Sequence, residues 1–169
     1  MWHNPVMGLI YIILIILCLA ALFHLRNGAI FVPTDKKTVE NIVKLLQIKP
    51  SMKIADLGSG DGRIVIALSQ AGAQATGFEN NPVLFLWSWV KTKKSGQGRA
   101  QIRFQSFWHK DLGEFDAVVV FGMTHIMERL GNKLRKELKS GAVVVSNIFE
   151  LPDWPVTAQE GSLRLYRHK

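Results

Sequence analysis

Eighteen consecutive residues near the start of the chain, Val6 to Phe23, carry no charge and are dominated by Ile and Leu. That is the length of a minimal membrane-spanning helix. Behind this run the pattern changes twice. Across positions 36–47 the apolar residues Val39, Ile42, Val43, Leu45 and Leu46 recur at spacings of three and four. This is the stripe of an amphipathic helix, and Thr34 or Asp35 is placed to cap it. From Lys53 onward, short apolar runs alternate with helical periodicity. Strands are predicted at 53–57, 74–79, 101–105, 115–121 and 142–147. Helices are predicted at 63–70, from Pro82 to about Lys94, and from Thr124 to about Lys139, the last bent or interrupted near Gly131 and Asn132. After Pro152 and Pro155, positions 156–158 and 163–167 read as a closing hairpin that turns at Glu160 and Gly161. The 115–121 stretch is almost unbroken in its apolar character, as in a parallel strand buried on both faces. Such alternation predicts an α/β fold, a doubly wound, mostly parallel sheet of about seven strands with an antiparallel last strand. The chain divides on this reading into an anchor at 1–26, a linker and pre-sheet helix at 27–50, and a sheet domain at 51–169.

At 169 residues there is room for one domain and an appendage. Such a length buries a core without disulfides. The single cysteine, Cys18, lies in the apolar run, so neither an internal disulfide nor a Cys-rich metal site is available. A net charge of +8 points to an anionic partner or surface, nucleic acid or acidic lipid. Basic residues flanking a membrane segment are the preferred explanation, and no nucleic acid is expected. Met1 to Asn4 holds no Lys or Arg, and Leu19 to Phe23 makes a poor cleavage site, so the run reads as a retained single-pass anchor rather than a signal peptide. A buried core helix is the remaining alternative. Arg26, Lys36 and Lys37 follow the run and place the rest of the chain on the cytoplasmic or matrix-equivalent side. Phe85, Trp87 and Trp89 read as core or membrane-surface packing. Lys91 to Arg99 reads as a basic loop, either solvated or touching phosphate.

The candidate chemistry sits between the first strand and the first helix. Asp56-Leu57-Gly58-Ser59-Gly60-Asp61-Gly62 puts three glycines at alternate positions of a strand-to-helix turn. Glycine lets backbone approach a ligand closely, and free amides at a helix start favour electron-rich groups. The dinucleotide fingerprint Gly-x-Gly-x-x-Gly is not met, because Arg63 stands where its third glycine would be. Asp56 and Asp61 would both repel a pyrophosphate. The turn therefore suits a cationic nucleoside such as S-adenosyl-L-methionine. Glu79, followed by Asn80, ends the second strand, where an acid accepts hydrogen bonds from ribose hydroxyls.

Together, the Asp56 to Gly62 turn and Glu79 resemble the class I S-adenosylmethionine-dependent methyltransferases. Further pieces are Phe31-Val32-Pro33-Thr34, Val118 to Gly122 and Leu163 to Arg167. With the apolar N-terminal run, these resemble small membrane-anchored protein-lysine methyltransferases, whose members modify the ATP synthase c subunit and the adenine nucleotide translocase. The resemblance implies Gly58-Ser59-Gly60 and Gly62 around the methionine moiety, Asp56 near its charged end, and Glu79 with Asn80 at the ribose. Many class I enzymes carry an Asp for the adenine amine after the third strand. Here that position is Ser106, a departure, with Phe107 available to stack. The acceptor would face Gly122 to His125, where His125 either assists amine deprotonation or is structural. The partners so implied are a lipid bilayer and a membrane-protein substrate. A lipid or small-molecule acceptor, and a noncatalytic cofactor-binding scaffold, stay open.

Overall fold

The computed structural model describes residues 6–15, 18, 31–95, 98–122 and 124–169. The chain divides into two units, Met1–Ile30 and Phe31–Lys169. In the first, residues 6–15 are helical. No helix among the described residues is long and apolar enough to cross a membrane. Residues 16–17 and 19–23 of the expected span lie outside the described residues, as do 27–30 of the expected linker.

The second unit runs α1 (Lys36–Leu46), β1 (Lys53–Leu57), α2 (Arg63–Gln70), β2 (Gln74–Glu79), α3 (Pro82–Lys94), β3 (Ala100–Phe104), a 3-10 turn (Phe107–His109), β4 (Ala117–Val120), α4 (Thr124–Glu137), β5 (Val143–Asn147), β6 (Val156–Glu160) and β7 (Leu163–Arg167). One sheet holds all seven strands in the order β3-β2-β1-β4-β5-β7-β6. β3 to β5 pair in parallel through β1, and β7 lies antiparallel to both β5 and β6. The β6–β7 ladder shifts register between Val156 and Ala158. The central strands β1, β4 and β5 bury nearly every side chain because helices cover both faces. On one face, Ile54, Val119 and Val145 pack with Ile42 and Leu46 of α1 and Val65 and Leu68 of α2. On the other, Leu57, Val118 and Val144 meet Met127, Leu130 and Leu134 of α4.

Three expectations are corrected. α4 runs unbroken through Gly131, which lies beneath the indole of Trp154, where a Cβ would stand 3.4 Å from Nε1. This glycine serves close packing rather than a bend. β4 is shorter at both ends than the apolar run. Phe115 leaves the ladder to meet Phe78 edge-on at 6.0 Å, and Phe121 stacks on Phe149. The expected basic loop begins as helix, since Lys91, Lys93 and Lys94 form the last turn of α3.

Between β3 and β4 only the 3-10 turn intervenes. One face of the β2–β3 edge therefore lies open as a cleft of roughly 350 Å³ lined by Lys53, Thr76, Phe78, Arg99, Arg103 and Lys110, among others. On the opposite face lies α3, which buries only Ser88 and Thr92 and turns Val83, Leu86, Trp87 and Val90 outward.

Candidate functional site

Parallel strands that cross over through helices leave their carboxyl ends on one side, and a doubly wound sheet opens there. Here that side carries the turn after β1, the end of β2 and the start of α4. Gly58, Gly60 and Gly62 all adopt positive φ, at 83°, 53° and 79°. At Gly62 this matters twice. A Cβ there would stand 3.0 Å from Ser88 Cβ, so the glycine also lets α3 approach. The turn is tied to β2 by the Gly58 and Ser59 amides, which both donate to the Phe78 carbonyl at 2.9 and 3.1 Å. Glu79 closes it from beneath. One carboxylate oxygen accepts from the Gly60 amide at 2.9 Å and the other from the Asn81 amide at 2.7 Å. Asn81 rather than Asn80 caps α3, accepting from the amides of Val83 and Leu84.

Two buried oxygens at this turn have no partner among the described residues, Asp56 Oδ2 and Ser59 Oγ. Ser59 Oγ is turned toward β2, where a Cβ on Gly77 would stand 2.6 Å from it, while a Cβ on Gly58 would meet no described residue within 4 Å besides its chain neighbours. An unpartnered buried acceptor is costly, and a glycine turn that leaves two of them unanswered suits a polar ligand. Burial pushes the Asp56 carboxyl up to about 7, and the nearby charges of Glu79 and Asp61 add to the rise. A cation entering beside Asp56 would reverse that by favouring the ionised form. The residues present thus fit the ammonium-bearing end of S-adenosyl-L-methionine.

Asp61 does something other than its expected role. Burial works against its ionisation, but Arg63 and Lys91 overcome this and hold the carboxyl at about 2. Arg63 reaches it through Nε at 2.9 Å and through Nη2 at 2.9 Å, and Lys91 Nζ lies 2.8 Å away. The charge in the turn is neutralised by α2 and α3, and it does not repel a ligand. Arg63 also donates to the Thr34 carbonyl at 2.7 Å, which fastens the 31–35 segment to the turn. From that segment the ring of Phe31 covers Gly60, where a Cβ would stand 2.5 Å from it. The role of Phe31 is not legible locally, because 29 residues separate it from Gly60.

The stability carried by Asp61 has a sign and a window. Its folded pKa lies below the ordinary value of 3.8. The contribution is therefore complete above about pH 4 and is lost as pH falls toward 2. The side chains of Arg63 and Lys91 are 37% and 36% exposed, which weakens the pairing. Asp61→Asn is expected to remove about 1–2 kcal/mol at neutral pH and little at pH 2. Urea denaturation at the two pH values measures this; equal losses at both would assign the effect to packing.

The remaining candidates spread along the same side. Ser106 caps the 3-10 turn, its hydroxyl accepting from the Trp108 amide at a long 3.4 Å. Phe107 is half-buried against Trp108 at 4.8 Å, and Arg129 of α4 lies 4.3 Å over the Trp108 ring. Gly122 is buried under Met127, and Met123 lies outside the described residues. His125 is exposed on the first turn of α4. After β5, Ile148 holds a positive φ of 67° and is half exposed, a feature that no local motif signals. Among the described residues no group of acidic, His or Cys side chains could hold a metal ion.

With this geometry in place, comparison with known proteins locates the chain. Residues 56–158 match the family described as the ANTKMT methyltransferase domain, a match that begins at the acid of the glycine turn. A lysine N-methyltransferase of the ATP synthase c subunit, from Rattus norvegicus, is 40% identical over 73% of this chain. The chain spans 57% of that relative's length. A protein-lysine N-methyltransferase from Saccharolobus islandicus is 35% identical over 73% of this chain and 79% of its own. Among solved structures, an RNA methyltransferase from Salinibacter ruber in complex with S-adenosyl-L-homocysteine is 29% identical. It superposes with a TM-score of 0.74, covering 81% of this chain and 92% of its own.

Proposed function

The chain belongs to the ANTKMT methyltransferase domain family, and from that membership we propose that it transfers a methyl group from S-adenosyl-L-methionine to a lysine of a membrane protein. The observation that carries the reading is the turn itself. Asp56 and Ser59 carry buried oxygens without a partner among the described residues, and the turn that joins them leaves open space at Gly58. The lysine acceptor is supported by the names of the relatives. When bound, the cofactor supplies an electrophilic methyl group on a sulfonium. The protein's part is position and a dry path. Asp56 would hold the cationic end, the Gly58-Ser59-Gly60 backbone would border the methionine moiety, and Glu79, which braces the Gly60 amide, would serve the ribose. Ser106 and Phe107 border the adenine side. The target amine must arrive neutral, and the exposed imidazole of His125 at the acceptor end would take the departing proton.

Tethering belongs to the same proposal. The uncharged 6–23 run, with basic residues only on its far side, supports a single-pass anchor that holds the domain on the cytoplasmic or matrix-equivalent face. A tether raises the effective concentration of membrane substrates. A second reading, RNA methylation, is favoured by the cleft at the β2–β3 edge, lined by Arg99 and Arg103 together with Lys53 and Lys110, which pair with Glu114. One experiment separates these readings. Membranes and total RNA are incubated with the full chain and methyl-labelled S-adenosyl-L-methionine, and label is sought in protein, lipid and RNA. Methyl-lysine in a membrane protein, read by mass spectrometry, is the expected result. Label confined to lipid or to RNA would replace the acceptor, and tight cofactor binding without any label would leave a scaffold.

A further inference from the structure

α3 is built inside out. Its only buried side chains are Ser88 and Thr92, whose hydroxyls donate back to the carbonyls of Phe85 and Trp89. The reason lies in the glycine turn, since Gly62 brings the helix so near that a small residue at 88 is required. Leu84 and Phe85 are half-buried, Phe85 against the core, and the other large apolar side chains are turned out. Val83, Leu86, Trp87 and Val90 are 73%, 59%, 50% and 36% exposed. Their spacing of three, one and three places them in one stripe about two turns long. Phe104 of the edge strand β3, 58% exposed, extends the patch through its ring contact with Phe85 at 5.3 Å. A contiguous apolar surface of this kind marks a contact.

The charge on the same helix names the occupant. α3 carries no acidic residue, and its last turn holds Lys93 and Lys94 beside Lys91, whose own charge is paired with Asp61. Lys91 and Lys93 lie 5.0 and 5.9 Å from the ring centres of Trp87 and Trp89. Trp and Lys beside an aliphatic stripe form the composition of a helix lying in a headgroup layer. A second copy of the same face would set lysines against lysines. We propose that the outer face of α3 is a membrane-contact surface that seats on anionic phospholipid, with Leu86, Trp87 and Val90 entering the acyl boundary. The inference rests on the reading of a membrane-protein acceptor and deepens it. α3 begins directly after Glu79 and Asn81, so this seating would hold the cofactor end of the sheet at the bilayer surface, where an acceptor lysine emerges.

The test uses the full chain with Cys18→Ser and one introduced cysteine carrying an environment-sensitive dye. Leu86→Cys reports the stripe, and Lys136→Cys, exposed on α4 across the sheet, is the reference. Vesicles contain phosphatidylcholine with a minority of phosphatidylglycerol, both with brominated acyl chains. Because the apolar N-terminal run would itself hold the protein on vesicles, the readout is depth rather than binding. Quenching at position 86 is expected to exceed that at 136 several-fold. Adding Lys93→Gln and Lys94→Gln is expected to lower the ratio of inserted to free helix about fivefold per lysine. That loss is expected with anionic lipid and not with phosphatidylcholine alone. Equal quenching at 86 and 136 on vesicle-bound protein would overturn the proposal. So would a dye at 86 already shielded from iodide without vesicles, which would assign the stripe to a second copy or to the chain's own N-terminal run. No methyl transfer is measured, so failure here and failure of the enzymatic reading are distinguishable.

Discussion

Gly58→Arg is expected to abolish cofactor binding while leaving a folded domain. The position has a φ of 83° and no atom within 4 Å of where its Cβ would be. Strain at such a φ costs roughly 1–2 kcal/mol for a residue with a side chain, which a domain of this size tolerates. The amides that tie the turn to Phe78 are backbone groups and survive the substitution. What changes is the open space at the turn, which a guanidinium on a long stem fills with bulk and positive charge. A loss of more than about a hundredfold in S-adenosyl-L-homocysteine affinity by calorimetry, or over about 2.7 kcal/mol, is expected. Gly58→Ala carries the same strain without the bulk and is expected to lose far less. An unchanged affinity for the Arg variant would place the cofactor somewhere other than this turn.

The second large effect is a reversal of sign at one residue. Asp56→Asn is expected to stabilise the ligand-free protein at alkaline pH and to weaken cofactor binding at the same time. The Asp56 carboxyl is raised from 3.8 to about 7 in the folded chain, chiefly by burial. Below about pH 4 it is neutral folded and unfolded. As pH rises toward 7 the unfolded chain releases the proton while the folded site retains it, so stability falls through that window. The penalty at pH 8 is on the order of 4 kcal/mol. An amide cannot ionise and escapes it, but offers no charge to an ammonium. Thermal midpoints between pH 5 and 8, with and without S-adenosyl-L-homocysteine, test both halves. Wild type is expected to lose stability with rising pH when empty and to gain most from ligand at the alkaline end. The Asp56→Asn variant is expected to show neither trend, and parallel profiles would sink the assignment. The Asp61 effect falls between pH 4 and 2 and does not overlap it.

What the sequence makes legible follows how local each feature is. β1, α2, β2, α3 and β7 match their expected bounds because periodicity and flanking Gly, Pro or Asn mark both ends. The expected β4 is too long because Phe115 and Phe121 are as apolar as Val118, and hydropathy alone does not separate a ladder residue from a ring packed beside it. Gly131 misleads for a related reason, since the Trp154 that requires a small residue there is distant in sequence. At the site, the turn and the orientation of Asp56 and Glu79 toward it follow from strand register. The pairing of Asp61 with Lys91, thirty residues away, and the cover of Phe31 over Gly60 are tertiary and leave no local mark. Nor does composition reveal the outward face of α3, where an aromatic stripe is equally compatible with a core.

The register shift between Val156 and Ala158 has a consequence for the molecule in a crowd. β6 is the last strand of the sheet and every residue in it is exposed. An unguarded outer strand is a template onto which another extended chain can zip. Here the ladder is broken at the second residue of that strand, and Pro155 just before it withholds a backbone donor. At the opposite margin, Arg99 just before β3 and Arg103 within it set like charges along the edge. Both rims are thus blunted against self-templating. Many copies can stand side by side at high local density and remain separate molecules rather than grow into fibrils.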